Sequence, residues 1–247
     1  MTLVAQISDI HAKPGAASVR ALGYALEFLA TIKPDALVVS GDLSNKPHDK
    51  GYAAVREALA TLNCPVFAVP GNADRREEMR TGFPGAPWPS EGPLHVNAAV
   101  GGVRLIGLDV TVPGEKHGEV TPEVLSFLSG ALEATPRMPT LVFMHQHPFR
   151  TYGLGLDRLM CRNVEPLRML LDGTRTPVLA VLCGHAHRAI TTRFGRTTAI
   201  MCPSLEGANP AIVDGHGEPP VTDPPGLMLH VVEGESLVSH TVSLGRD

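Results

Sequence analysis

The sequence predicts an α/β fold that begins with a parallel sheet, because short apolar runs alternate with helical patterns. Residues 3–7, 36–39 and 66–69 are largely apolar, which is typical of strands that are covered on both faces. Between them, apolar side chains recur at helical spacing in residues 19–32 and 52–62. A β-α-β-α-β order of this kind favours right-handed crossovers and a largely parallel sheet.

The rest of the chain continues this alternation. Further strands are predicted at residues 103–108, 141–144 and 178–182, with a helix at 124–132. Three more strands, which we expect to be antiparallel and to complete a second sheet, are predicted at 197–201, 227–232 and 237–242. Gly and Pro residues predict a loop over the ligand crevice at 80–93 and a flexible or partner-contacting insertion at 207–225.

Composition narrows the class of protein. The 247 residues have a hydrophobic fraction of 43% and a formal net charge of −4, without a basic run, which argues against a nucleic-acid polymer as partner. No apolar stretch reaches the roughly 18 residues of a membrane helix, and the N-terminus has no signal-peptide pattern. We therefore expect a single cytoplasmic domain over residues 1–247, with no membrane partner and with reduced cysteines.

Five polar motifs follow the predicted strands, and their side chains are the candidate ligands of a metal site. They contribute carboxylates, an amide and imidazoles, from Asp9, His11, Asp42, Asn72, His145, His185 and His187. Because the carboxyl ends of strands in an α/β sheet share one edge, we expect these groups to converge there. So many oxygen and nitrogen donors exceed the needs of one ion and match two ions that share a bridging carboxylate.

The spacing within the motifs fits this role. In an extended segment residues i and i+2 share a face, so Asp9 with His11, and His185 with His187, can each hold one ion. Asp42 follows a glycine, which permits close backbone approach, and its carboxylate is the candidate bridge. Any single motif can equally be a turn or a cap, so the interpretation depends on the ordered set.

The type of donor indicates the chemistry. Carboxylate, amide and imidazole groups without a thiolate suit Mn, Fe, Zn or Co. Two such ions about 3.5–4 Å apart can hold a bridging hydroxide and clamp a phosphate ester. Metal binding lowers the pKa of water to about 7, so this nucleophile is available at neutral pH. The sequence therefore predicts a phosphoesterase that attacks with a metal-bridging hydroxide and without a nucleophilic side chain.

The ordered motifs DxH, GD, GN, H and GHxH resemble those of the calcineurin-like metallophosphoesterases. The resemblance implies a four-layer sandwich of two packed mixed β-sheets flanked by helices. It also implies that Asp42 and Asn72 take part in catalysis and that Asn72 contacts the substrate. The implied ligands form two groups that share Asp42: Asp9, His11, Asp42 and His187 for one ion, and Asp42, Asn72, His145 and His185 for the other.

Weaker matches are similar to one branch, the class III cyclic nucleotide phosphodiesterases and glycerophosphodiesterases. They include Tyr52, Pro70, Asp109, Asp157, Asn163 and Ser204. The resemblance implies hydrolysis of a small phosphodiester, either a cyclic nucleotide or a glycerophosphodiester-like ester. Two alternatives stay open: a phosphomonoesterase or nucleotidase of the same fold, and a catalytically weak metal-binding scaffold.

Two departures from the family pattern affect the catalytic residues. Where the family usually reads GNHD, this chain has Ala73, which cannot donate a proton to a leaving group. A general acid typically contributes about 10²–10⁴ in rate, so we consider His147 and His48 as substitutes. The second departure is the sequence His145-Gln146-His147 before proline. We take His145 as the ligand and His147 as a residue that either faces the substrate or lies behind the ligands, with the reverse assignment left open.

Further residues beside the motifs each allow two interpretations. Asp74 either supports catalysis by orienting Asn72 or a water molecule, or caps a turn. Asn45 either faces the phosphate or lies in a solvated loop. Arg150 and Arg188 either neutralise substrate charge or form surface salt bridges. If the chain is oligomeric we expect a homodimer, because dimers are the commonest assembly.

Overall fold

The structure is a computed structural model that describes residues 1–13, 15, 17–153, 155–213 and 220–245. The strands of this part are β1 (Thr2–Ile7), β2 (Ala36–Ser40), β3 (Val66–Val69), β4 (Val96–Val100), β5 (Val103–Leu108), β6 (Thr140–Met144), β7 (Val178–Cys183), β8 (Ile190–Phe194), β9 (Thr197–Met201), β10 (Gly226–Glu233) and β11 (Ser236–Ser243). The helices are α1 (Ala17–Ile32), α2 (His48–Leu59), α3 (Arg76–Gly82), α4 (Pro122–Glu133) and α5 (Val164–Gly173).

The strands form two mixed sheets. The first has the order β11-β10-β1-β2-β3, in which β1, β2 and β3 are parallel and β10 is antiparallel to β1 and β11. The second has the order β4-β5-β6-β7-β9-β8, with β5, β6, β7 and β9 parallel and an antiparallel strand at each edge. The predicted β-α-β-α-β start is confirmed, with α1 and α2 as its crossovers.

Apolar side chains hold the two sheets face to face between two layers of helices. A cluster that includes Val38, Leu105 and Leu141 lies between the sheets. A second cluster, which includes Leu22 and Leu37, packs α1, α2 and α3 on the first sheet. A third packs α4 and α5 on the second sheet. The four-layer sandwich that the family resemblance implies is therefore present.

The allocation of the last strands to one antiparallel sheet is wrong. β9 lies in the second sheet and runs parallel to β7, whereas β10 and β11 extend the first sheet beside β1. An alternating pattern identifies a strand but does not specify its partner, which is fixed by long-range packing. The predicted loop at 80–93 begins later, because α3 extends to Gly82. The sequence patterns also missed β4, β8, α3 and α5, which are short or mixed in polarity.

The insertion predicted at 207–225 lies partly outside the described residues, since these exclude 214–219. Residues 207–212 and 220–225 contain neither helix nor strand. The role of the 207–225 insertion as a flexible or partner-contacting segment stays a prediction. The organisation of residues 1–247 as a single domain also stays a prediction. No helix in the described ranges combines the length and the apolar character that a membrane crossing requires.

Candidate metal centre

Six of the predicted ligands, which follow β1, β2, β6 and β7, form one cluster of short donor–donor distances. His187 Nε2 lies 3.2 Å from both Asp9 Oδ1 and His11 Nε2. On the other side of the cluster, His145 Nε2 lies 3.2 Å from His185 Nδ1. The predicted convergence of these motifs at the carboxyl ends of the strands is therefore present in the structure.

The carboxylate of Asp42 lies between the two halves of the cluster. Its Oδ2 atom is 3.4 Å from His11 Nε2 and 3.3 Å from His145 Nε2. Its Oδ1 atom accepts a hydrogen bond from the backbone N of Ala73 at 2.7 Å. One oxygen is thus anchored by the backbone, while the other faces an imidazole from each half, as a bridging ligand must.

The local backbone brings the paired ligands together in a way that the sequence analysis did not predict. Asp9 and His11 have φ values of 52° and 48°, and His185 and His187 have 78° and 55°. The segments are therefore left-handed turns, so the expectation that i and i+2 share the face of an extended strand is wrong. Non-glycine residues with positive φ are uncommon and carry a conformational cost, which clusters at functional sites.

Each of the four imidazoles donates a hydrogen bond from one ring nitrogen to an oxygen atom. Its other ring nitrogen faces the cluster. The Nδ1–H groups of His11, His145 and His187 donate to Asn45 Oδ1, Ser40 O and Gly207 O at 3.1, 2.7 and 2.8 Å. His185 is reversed, since its Nε2–H donates to Leu159 O at 3.0 Å. Such outer acceptors fix the tautomer and ring orientation of metal-binding histidines.

Two buried oxygens of the seven predicted ligands have no hydrogen-bond partner among the described residues, namely Asn72 Oδ1 and Asp9 Oδ1. A buried polar atom without a partner costs about 1–3 kcal/mol. Coordination to a cation would satisfy both atoms. The donor set, the orientation of the rings and these two oxygens all fit divalent metal ions.

The electrostatics of the cluster also favour cations. Burial lowers the pKa of His11, but Asp9 and Asp42 outweigh this effect and raise it to about 10. Burial lowers the pKa of His145 as well, and Asp42 and Asp9 raise it to about 9. The two carboxylates therefore attract positive charge to the ring nitrogens that face them, and metal ions would displace those protons.

Comparison with known proteins identifies the family. The family model of the calcineurin-like phosphoesterases matches residues 2–189, which include all seven predicted ligands. The chain belongs to the calcineurin-like phosphoesterases. The resemblance on which the sequence interpretation depended is confirmed, and with it the prediction of a phosphoester hydrolase.

Similar proteins indicate which branch of the calcineurin-like phosphoesterases this chain resembles. A glycerophosphodiester phosphodiesterase from Enterobacter lignolyticus is 29% identical over 219 residues, covering 86% of this chain and 77% of the relative. A cAMP/cGMP dual specificity phosphodiesterase from Mycobacterium tuberculosis is 32% identical over 179 residues, covering 70% of this chain and 55% of the relative. The predicted resemblance to this branch is confirmed. A dimetal phosphatase from Danio rerio shares the fold, with 13% identity, a TM-score of 0.71 and 99% coverage of both chains.

Of the two candidate histidines that follow β6, His145 is the one that faces the carboxylates of this phosphoesterase. His147 is fully buried, and its ring centroid lies 5.6 Å from that of His185. Both ring nitrogens of His147 have no hydrogen-bond partner among the described residues. His48, the other suggested substitute for the missing acid, stacks on Tyr52 with a centroid distance of 5.6 Å.

Asp74 and Asn45 have supporting positions around the ligands. Asp74 accepts hydrogen bonds from the backbone N of Gly71 at 2.9 Å and of Leu43 at 3.2 Å, and from Tyr52 Oη at 3.0 Å. These contacts agree with the turn-capping interpretation. Asn45 does not lie in an open solvated loop, because it is half-buried and holds His11.

The two arginines beside the ligand motifs form ion pairs with acidic side chains. Arg150 Nε lies 3.1 Å from Asp157 Oδ2, and its guanidinium stacks on the ring of Tyr152. Arg188 Nη1 lies 3.1 Å from Asp223 Oδ2 and also donates to Asn209 O at 2.6 Å. The salt-bridge interpretation of both residues agrees with this geometry.

Sequence reasoning missed a buried polar network beneath the cluster, centred on Gln6 of β1. The Gln6 amide donates to Ser40 Oγ of β2 at 2.8 Å and to Cys183 O of β7 at 3.1 Å. Its oxygen accepts from His230 Nε2 of β10 at 3.1 Å. The network ties together three strands that end in ligand motifs. A polar residue in the otherwise apolar run 3–7 was the available signal.

We predict that His230 makes the stability of the protein depend on pH. Burial lowers its pKa to about 3, against about 6.5 in an unfolded chain. Between these values the unfolded chain binds a proton that the folded chain excludes. The contribution of His230 to stability is therefore full above about pH 6.5 and falls as the pH decreases, by up to about 1.4 kcal/mol per pH unit.

The test compares the pH dependence of stability in wild type and in His230→Gln. The glutamine can still donate a hydrogen bond to Gln6 but does not titrate. Urea unfolding of metal-free protein between about pH 7 and pH 5 should show a smaller loss of stability in the variant. Equal slopes in the two proteins would contradict the assignment to His230.

Proposed function

We propose that the protein is a phosphodiesterase that uses two divalent metal ions to hydrolyse small phosphodiesters. The observation that carries the proposal is the position of Asp42 Oδ2, which lies 3.4 Å from His11 Nε2 and 3.3 Å from His145 Nε2. A carboxylate oxygen shared in this way by two groups of donors is typical of two-ion sites. The relatives named above as phosphodiesterases support the choice of a diester.

The donor groups divide between the two ions around Asp42. One ion would be held by Asp9, His11, Asp42 and His187, and the other by Asp42, Asn72, His145 and His185. When bound, Mn, Fe or Zn would supply Lewis-acid polarisation of the phosphoryl oxygens and lower the pKa of water. The residues of the chain fix the positions of these donors, through Asn45, Ser40, Gly207 and Leu159.

The residue at position 73 affects which leaving groups the substrate can have. Ala73 offers the site only its backbone N–H, which already donates to Asp42 Oδ1. No side chain at this position can protonate the leaving oxygen. We therefore expect faster hydrolysis of esters whose leaving groups need little protonation.

The substrate class that we propose is a cyclic nucleotide or a glycerophosphodiester-like ester, since the similar proteins are named for these two activities. The cytoplasmic location, the homodimer and the lack of a nucleic-acid or membrane partner remain predictions from the sequence.

Comparison of two esters with the same leaving group tests the proposal. Bis-p-nitrophenyl phosphate and p-nitrophenyl phosphate both release p-nitrophenol, so a difference in kcat/KM reports the preference for a diester or a monoester. With added Mn²⁺ we expect the diester to have the higher kcat/KM. A preference for the monoester would favour a phosphomonoesterase or nucleotidase. Turnover of neither ester by protein that contains two bound ions would favour the scaffold.

A further inference from the structure

Glu206, which no sequence motif singles out, brings a third carboxylate to the metal centre. Its Oε2 atom lies 3.8 Å from His11 Nε2. The same distance separates His11 Nε2 from Asp9 Oδ1, which belongs to the same group of donors. The side chain of Glu206 is 43% exposed, whereas those of Asp9 and Asp42 are 0% and 3% exposed. Glu206 therefore reaches the cluster from solvent.

The backbone around Glu206 is fastened to the ligand motifs on both sides. The backbone N of Glu206 donates to Asp9 O at 3.1 Å and to Ser204 Oγ at 2.9 Å. The hydroxyl of Ser204 in turn donates to Asp9 O at 3.0 Å. The next residue, Gly207, accepts the hydrogen bond from His187 Nδ1. Hydrogen bonds to two ligand motifs thus fix the position from which the carboxylate extends.

We propose that Glu206 is a further ligand of the ion that Asp9, His11, Asp42 and His187 would hold, an inference that depends on the proposed function. Donors in this half of the cluster lie 3.2–3.8 Å from His11 Nε2, and Glu206 falls within that range. A carboxylate oxygen suits the same divalent ions as the other donors. Glu206 has the most solvent-exposed side chain of the donors in this group.

Calorimetric titration of metal-free protein with Mn²⁺ tests this inference. The variant Glu206→Gln keeps the size of the side chain and removes its charge. The matched control Glu235→Gln removes the same charge from an exposed position between β10 and β11. We expect Glu206→Gln to weaken binding of one of the two ions by at least about tenfold, the lower end of the cost of losing an outer-shell partner. Binding of the other ion, and both affinities of Glu235→Gln, should match wild type.

Two further measurements separate a ligand from a nearby charge. An effect of charge alone is screened when salt rises from about 50 mM to about 500 mM, whereas loss of a ligand persists. The visible spectrum of the Co²⁺-loaded protein should also change in Glu206→Gln, because the spectrum reports coordination geometry. Unchanged affinities, an unchanged Co²⁺ spectrum or a difference that disappears at high salt would each overturn the role of Glu206 alone. Failure of wild type to bind any of Mn²⁺, Fe²⁺ and Zn²⁺ would overturn the proposed function itself, and the role of Glu206 with it.

Discussion

Replacement of Asp42 by asparagine is expected to abolish diester hydrolysis while the fold is retained. In Asp42→Asn the side-chain oxygen can still accept the hydrogen bond from Ala73 N, but the new NH₂ group would then face His11 and His145. An amide NH₂ has no lone pair available for a metal ion. We expect kcat/KM for bis-p-nitrophenyl phosphate to fall by at least about 10²–10³, the usual cost of removing one charge-stabilising group.

Metal binding and stability distinguish this effect from misfolding. In wild type, saturating Mn²⁺ should raise the thermal midpoint, because a ligand at about 100 times its Kd stabilises by about 2.7 kcal/mol. In Asp42→Asn this rise should be lost, while the metal-free protein should still unfold cooperatively, at a lower midpoint because His11 and His145 lose a carboxylate that favours their charged forms. Asp49→Asn, an exposed carboxylate of α2, is the matched control and should behave as wild type. A variant that retains both activity and the Mn²⁺ response would contradict the bridging role.

Local patterns in the sequence encode where the ligands lie along the chain but not how their side chains are aimed. Asp9, Asp42 and Asn72 follow parallel strands of the first sheet and His145 follows one of the second, and the carboxyl ends of parallel strands within a sheet share one edge. The grouping of ligands within each sheet could therefore be predicted, whereas the meeting of the two groups depends on how the sheets pack. The φ values that aim the side chains could not be predicted, because left-handed turns at Asp9 and His187 are stabilised only by surrounding contacts.

Contacts between distant segments account for what the sequence did not predict. Glu206 is 195 residues from His11, and a single acidic residue before a Gly-rich segment carries no recognisable pattern. In the same way, β10 pairs with β1 from the opposite end of the chain, so its sheet could not be inferred from its alternation. Local periodicity identified most of the elements, while the partners of β10 and of Glu206 depend on tertiary packing.

The turn at Ala73 keeps its backbone contacts without the histidine that the family usually has there. Asp74 still fastens this turn to Gly71 and Leu43, and Ala73 N still binds the Asp42 carboxylate. The backbone that places Asn72 is therefore intact without a histidine at position 73. Bound metal ions would give the buried oxygens of Asn72 and Asp9 partners, in an enzyme and in a metal-binding scaffold alike. The substitution changes proton donation to the leaving group while the donor set is kept.

Gly71→Ala is expected to damage the metal centre through steric contact alone. A Cβ atom at this position would lie 2.1 Å from Asp42 Oδ1 and 2.5 Å from the backbone N of Asp42. Neither atom can move away without displacing the carboxylate or its strand end. A displacement of about 1 Å at a reacting centre can cost about 10²-fold in rate, and overpacking costs about 1–3 kcal/mol. We expect losses of this size in kcat/KM for the diester and in the free energy of unfolding.

The matched control is Gly130→Ala in α4, where an added Cβ meets no atom within 4 Å. This variant should gain about 0.5–1 kcal/mol of stability, because alanine is favoured over glycine within a helix, and its activity should equal that of wild type. Mn²⁺ titration completes the comparison. Displacement of Asp42 in Gly71→Ala should weaken the binding of both ions, whereas Glu206→Gln should weaken the binding of only one. If Gly71→Ala bound Mn²⁺ and hydrolysed the diester as wild type does, the close approach of the two motifs would have no role in placing the bridging carboxylate.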